Sequence, residues 1–145
     1  MNFVATLVDE YKVQEIEGGP TYDYAGTLGA GGQFDYRTYT TFGVSLGEGS
    51  LGLRWIHLPE IENATYATDP TTTILPTASY DRLDFFGNWK VADSTSVRFG
   101  IDNLFDTDPE LVGVDPGVNN SRGSTNAGYY DILGRRYYVG VRLDF

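Results

Sequence analysis

The sequence predicts an all-β protein, an antiparallel meander of about six strands. Three observations carry that prediction. No window repeats apolar residues at i, i+3, i+4 and i+7 over three turns, and Gly, Thr and Tyr interrupt every helical candidate. Apolar and polar residues alternate instead, in segments of about ten to fifteen residues bounded by turn chemistry. The connections between these segments are alternately short and long.

The first strand is expected over 2–15, where Phe3, Ala5 and Leu7 oppose Asn2, Val4 and Thr6. Met1–Glu10 has no basic region, no sustained apolar core and no small-residue cleavage site. It reads as a strand already under way and not as a secretory signal. The second strand spans 33–46, with Phe42, Val44 and Leu46 against Thr41, Gly43 and Ser45. Gly47-Glu48-Gly49-Ser50 then turns the chain into a third strand over 51–62, where Leu51, Leu53 and Trp55 oppose Gly52 and Arg54. A fourth strand over 79–91 sets Leu83, Phe85, Trp89 and Val91 against Arg82, Asp84, Asn88 and Lys90. After the short turn Ala92-Asp93-Ser94, the fifth, over 95–105, sets Val97, Phe99, Ile101 and Phe105 against Ser96, Arg98, Gly100 and Asp102. The sixth, over 129–145, alternates most cleanly: Tyr137, Val139, Val141, Leu143 and Phe145 against Arg136, Tyr138, Gly140, Arg142 and Asp144. The long polar connections are 16–32, 63–78 and 106–128.

The chain has 145 residues, 10 basic against 20 acidic, a net charge of −10 and no cysteine. That charge argues against a nucleic-acid partner, whose phosphates need Lys and Arg. Without cysteine there is no disulfide framework and no thiolate metal site. Transmembrane helices are excluded because no apolar run approaches the ~20 residues one needs. A transmembrane barrel is not excluded, since its signature is alternation. Two solvents compete for the apolar face. In a soluble barrel it points inward; in a membrane barrel it meets lipid, and the charged face lines a wet interior. Aromatic residues near strand ends (Tyr36, Trp55, Tyr80, Trp89, Tyr129, Tyr130, Tyr137) suit the girdles of the second arrangement, as do the strand lengths and the split between short and long connections.

Two motifs carry a resemblance. Val97-Arg98-Phe99-Gly100-Ile101-Asp102-Asn103-Leu104-Phe105-Asp106, followed by Pro109, is an apolar strand running into Asn-Leu-Phe-Asp. Tyr130-Asp131-Ile132-Leu133-Gly134-Arg135-Arg136-Tyr137-Tyr138 then leads to a terminal Phe145. Together, and in this order, they resemble the last two strands of TonB-dependent outer-membrane receptors. The likeness is strong over 80–145 and diffuse before it. It implies a place in a large transmembrane β-barrel of about 22 strands, in the outer membrane of a Gram-negative bacterium. It also implies active uptake of a scarce nutrient such as a ferric siderophore, cobalamin or glycan. On this resemblance, residues 1–145 form a C-terminal segment of the barrel, without plug domain or signal peptide. Six strands leave open edges that hydrocarbon cannot satisfy. The expected partners are therefore outer-membrane lipid, the missing N-terminal barrel and plug of the same receptor, and a small nutrient ligand. The TonB energy-transducing complex would act through the plug and not through this segment. Tyr138, Gly140, Leu143 and Phe145 are similar to the closing signal read by the barrel-assembly machinery, which recognises an unpaired strand.

Expected site residues follow from faces and loops. Arg82, Asp84, Lys90, Arg98, Asp102, Arg136 and Arg142 share the charged face and would line the lumen. Tyr22, Asp23, Tyr24 and Tyr66, with Asn119, Asn120 and Arg122 in the last loop, would offer rings and hydrogen bonds to a captured ligand. No enzyme, cofactor or metal is expected. His57 has no second histidine to share a metal site and is placed near the outer end of a strand. The carboxylates Asp81, Asp84, Asp102 and Asp106 read as ion-pair partners, and Asp106-Thr107-Asp108 to Asp115 lacks the spacing of a calcium loop. Two alternatives stay open: a soluble ligand-binding barrel of lipocalin-like size, and a small autonomous eight-stranded outer-membrane barrel. The latter needs further strands near Thr21–Leu28 and Thr71–Leu75.

Overall fold

A computed structural model describes residues 1–28, 31–111 and 125–144. Asn119, Asn120, Arg122, Phe145 and Asp115 lie outside them. The described residues form eight strands: β1 (Asn2–Leu7), β2 (Lys12–Gln14), β3 (Thr21–Asp23), β4 (Tyr36–Leu46), β5 (Gly49–Leu58), β6 (Tyr80–Ala92), β7 (Thr95–Asp102) and β8 (Arg136–Leu143). Six make one sheet in the order β1-β4-β5-β6-β7-β8, antiparallel at every pairing, while β2 and β3 pair only with each other. The sheet is a meander and is not closed, since β1 and β8 each have one neighbour.

The expected first strand, 2–15, divides in two. The chain leaves the sheet after Leu7, and β2 joins β3 in a small hairpin of its own. Asp23 closes the open end of that hairpin: its Oδ1 accepts the Tyr11 amide at 2.9 Å and the Ala25 amide at 3.0 Å. The expected sixth strand also starts late, at Arg136, because 129–135 folds over the sheet and does not extend it. The eight-stranded alternative is not met. Thr21–Asp23 pairs away from the main sheet, and no strand forms over 71–75.

Register explains the faces. Phe42, Leu53, Phe85, Ile101 and Tyr137 stand opposite one another in a row across five strands; Val44, Leu51, Gly87, Phe99 and Val139 form the next. A period of two keeps these rows on one face. Among the described residues no layer covers that face: Val44 is 53 % exposed, Trp55 44 % and Val139 75 %. The opposite face carries the long connections. Its core consists of Phe34, Leu58, Ile61, Tyr80 and Tyr130, with Leu28 and Tyr129 packed against it. Three expected girdle residues, Tyr80, Tyr129 and Tyr130, therefore belong to this core and not to a strand-end belt. Tyr130 meets Tyr80 and Phe34 edge to face at 5.6 and 5.9 Å between ring centres.

Connection lengths segregate by end. The three long connections, 8–35, 59–79 and 103–135, leave the sheet at the end marked by Leu7, Leu58 and Asp102, and the two tight turns lie at the other. Gly47 (φ +61°) takes the first position of the β4–β5 turn, as a two-residue type II′ hairpin requires.

Sheet glycines lie under aromatic rings. Gly49, Gly52, Gly87 and Gly100 pair directly across the sheet with Trp89, Phe86, Phe99 and Tyr138, and each ring occupies the space where the glycine's Cβ would stand. Glycine weakens a strand by leaving a hole in its surface; a cross-strand ring fills the hole.

Candidate functional site

The polar face gathers charge. Arg37, Arg54, Arg82, Lys90, Arg98, Arg136 and Arg142 all project from it, seven of the chain's ten basic residues, against Asp84 and Asp102 from the same strands. A chain of net charge −10 thus presents a cationic sheet face, with most of its carboxylates in the connections.

At the long-connection end this face holds an ion network. Arg82 is central. Its Nη2 donates to Asp84 Oδ2 at 3.1 Å and its Nη1 donates to Asp131 Oδ2. Its Nε lies 3.0 Å from Asp84 Oδ1 without hydrogen-bond alignment, so that contact is Coulombic. Arg136 closes the other side, donating to Asp131 at 3.0 and 2.9 Å and standing 3.5 Å from Asp102. Asp84, 3 % exposed, also accepts the Asn103 amide at 2.9 Å. Asn103 is fully buried with φ +55°, and its side chain exchanges two 2.9 Å hydrogen bonds with the Thr107 backbone. This local ring ends β7 and explains why an Asn follows Asp102: Asn tolerates the left-handed region and satisfies its own turn.

Burial pushes the Asp131 carboxyl up, but hydrogen bonds from Arg136 and the Leu133 amide, with the charges of Arg136 and Arg82, outweigh burial and hold it below its ordinary value. A depressed carboxylate contributes stability above its unfolded pKa of ~3.9, and that stability is lost as pH falls through the folded value. The docking of 125–135 on the sheet is therefore expected to hold from neutral pH to about pH 5 and weaken below it. Urea midpoints at pH 6 and pH 3 check this. Asp131→Asn should remove part of the difference, and an identical drop in both proteins would contradict it.

Below the connections lies a cavity of about 530 Å³, lined on its polar side by Arg37, Arg54, Arg82, Tyr39, Gln33 and Asp131. Arg37 donates to Gln33 Oε1 at 2.7 Å, and Arg54 lies over the Phe86 ring at 5.6 Å. Among the described residues, no carboxylate is within ion-pair distance of Arg37, Arg54 or Arg98. Tyr129 donates to Gly32 O at 2.6 Å, pinning the last connection to the first. Nearby, the Tyr80 and Tyr130 hydroxyls are buried and find no hydrogen-bond partner among the described residues, and burial pushes the Tyr130 phenol up to about 12.

The seven residues expected to line a lumen share this face. The expected loop ligands are less concentrated. Tyr24 is 3 % exposed and donates to Glu15 at 2.6 Å, so it packs within the first connection. Asp23 clamps the small hairpin. The Tyr22 ring meets Tyr24 edge to face at 6.4 Å, and Tyr66 stands on a separate turn, its amide bonded to Asn63. Of the assembly-signal residues, Tyr138 and Gly140 face the polar side and Leu143 the apolar side. Arg37 and Arg54 are not among the expected lumen residues, though extending the alternation of 33–46 and 51–62 reaches both; Asp131, in a connection, has no periodic signal.

On the bare face, at the long-connection end, Asp81 Oδ1 accepts from Trp55 Nε1 at 2.7 Å and lies 2.9 Å from His57 Nδ1, while the Tyr36 hydroxyl lies 3.4 Å from His57 Nε2. His57 is thus held near the end of β5. Among the described residues no group of His, Asp or Glu could hold a metal ion, and no helix is long and apolar enough to cross a membrane. No protein-family model matches the chain, and comparisons with curated proteins and with solved structures found no match.

Proposed function

We propose that the chain is a segment of barrel wall from a TonB-dependent outer-membrane receptor, taking part in nutrient uptake across the outer membrane of a Gram-negative bacterium. One observation carries this reading: among the described residues the apolar face of the sheet is bare, while the polar face holds the ions and lies under the long connections. A soluble barrel of lipocalin-like size calls for the reverse, with apolar side chains enclosed and charges in water. A continuous apolar sheet face left open in this way is rare on soluble monomers and suits hydrocarbon. Tyr36, Trp55 and Tyr137 at one end of that face and Trp89 at the other fit the two interfaces.

The open edges β1 and β8 support a place within a larger barrel, because lipid offers no partner for their N–H and C=O groups. The remaining barrel and a plug would complete the wall and shield the cationic face. In this reading the long connections face outward to the nutrient, and the TonB complex acts on the plug. The role is capture and passage, with no catalytic step. The chain is expected to stay in solution only with detergent or lipid, and to aggregate without them through its edges and bare face. Size-exclusion chromatography with and without detergent tests this. A monodisperse detergent-free monomer that unfolds cooperatively would overturn the proposal.

A further inference from the structure

The cavity beneath the long connections is cationic beyond its own needs. Three guanidiniums, Arg37, Arg54 and Arg82, line it against one carboxylate, Asp131. Asp131 is committed to Arg82 and Arg136, and Arg82 also answers Asp84. Among the described residues, Arg37 bonds a neutral amide oxygen and Arg54 lies over a phenyl ring, with no carboxylate at ion-pair distance from either. Arg37 is half-buried and Arg54 exposed, so both guanidiniums keep water on one side and can turn their donors to an anion that enters the cavity. The neighbouring hollow differs, since Asp84 and Asp102 line it together with Arg54 and Arg98 and balance their charge.

We propose that this cavity binds a small polyanion, one bearing several carboxylates or a phosphate, between Arg37 and Arg54. The inference deepens the uptake reading by naming the chemical class of the nutrient, and it rests on that reading only for the word nutrient. Guanidinium forks match the planar oxygens of carboxylate and phosphate and hold them with charge-assisted hydrogen bonds. Tyr39 and the half-buried Gln33 add polar groups to the wall. The cavity volume suits a molecule of modest size. Lys90 and Arg142, on the same face but bonded to Asp93 and Asp144 at the far end, have their counter-charges and lie outside the cavity.

Calorimetric titration of the full chain in detergent with citrate, inorganic phosphate and maltose tests the site. Citrate or phosphate should bind saturably and more weakly as salt is raised, while maltose should not bind. Which of the two anions binds tells carboxylate from phosphate chemistry. Arg37→Gln and Arg54→Gln should each weaken binding about tenfold or more. Arg54→Lys, which keeps the charge, should lose less than Arg54→Gln, and Arg142→Gln should leave affinity unchanged. The proposal is overturned if neither anion saturates, if maltose binds equally, or if Arg142→Gln weakens binding as much as Arg54→Gln. A chain that binds citrate but needs no detergent would keep the site and refute the membrane reading; one that needs detergent and binds no anion would do the opposite.

Discussion

Gly100→Val should destabilise the sheet by about 3 kcal/mol or more, the largest single effect expected in this protein. A Cβ at Gly100 would stand 2.6 Å from the Phe85 carbonyl oxygen and would overlap the Tyr138 ring. The ring can swing away; the Phe85 backbone cannot, because Phe85 pairs with Leu53 on one side and Ile101 on the other. Relief therefore requires β6 and β7 to separate. At Gly43 the nearest atom to an added Cβ is the Leu51 carbonyl oxygen at 3.8 Å, ordinary contact. Gly43→Ala should thus be neutral or stabilising by up to about 1 kcal/mol, through the loss of unfolded-state freedom. Urea unfolding followed by emission of Trp55 and Trp89 compares the two. Equal effects at both glycines would show that the close backbone approach at Gly100 does not decide the outcome.

Asp84→Asn should cost about 3 kcal/mol. The carboxylate is buried, pairs with Arg82 and accepts the Asn103 amide, so neutralising it weakens a charge pair and the turn that ends β7. Arg82 still has Asp131, which makes the two carboxylates interdependent. The double variant with Asp131→Asn should therefore lose more than the sum of the single variants, by about 1 kcal/mol, because Arg82 is then left buried with no counter-charge. A double-mutant cycle on urea midpoints reads this directly. Additive losses would mean that each carboxylate acts alone.

The main sheet was legible because it obeys one rule. Alternation over 95–105 and 136–145 placed Arg98, Asp102, Arg136 and Arg142 on one side, and the pairing of β7 with β8 has them there. The short turns were equally plain, since Gly47-Glu48 and Asp93-Ser94 separate runs of alternating residues. What escaped the sequence depends on contacts between distant segments. Nothing near Asp131 shows that it will sit between Arg82 and Arg136, and Tyr129 and Tyr130 look like strand residues until the chain folds them against Phe34 and Tyr80. The small hairpin after Leu7 was missed for a related reason. Asp23 reaches back to Tyr11, and periodicity does not register a side chain that closes a hairpin from twelve residues away. The glycine–aromatic pairs are a matter of register, which only the assembled sheet fixes.

The placement of short and long connections also sets the order in which the chain can assemble. β4 with β5 and β6 with β7 are joined by two-residue turns, so each hairpin can close in microseconds from local contacts alone. Pairing β5 with β6 must first close 59–79, and pairing β7 with β8 must close 103–135. Two independent hairpins would thus form first and then dock, with the Arg82–Asp131 contact among the last to be made.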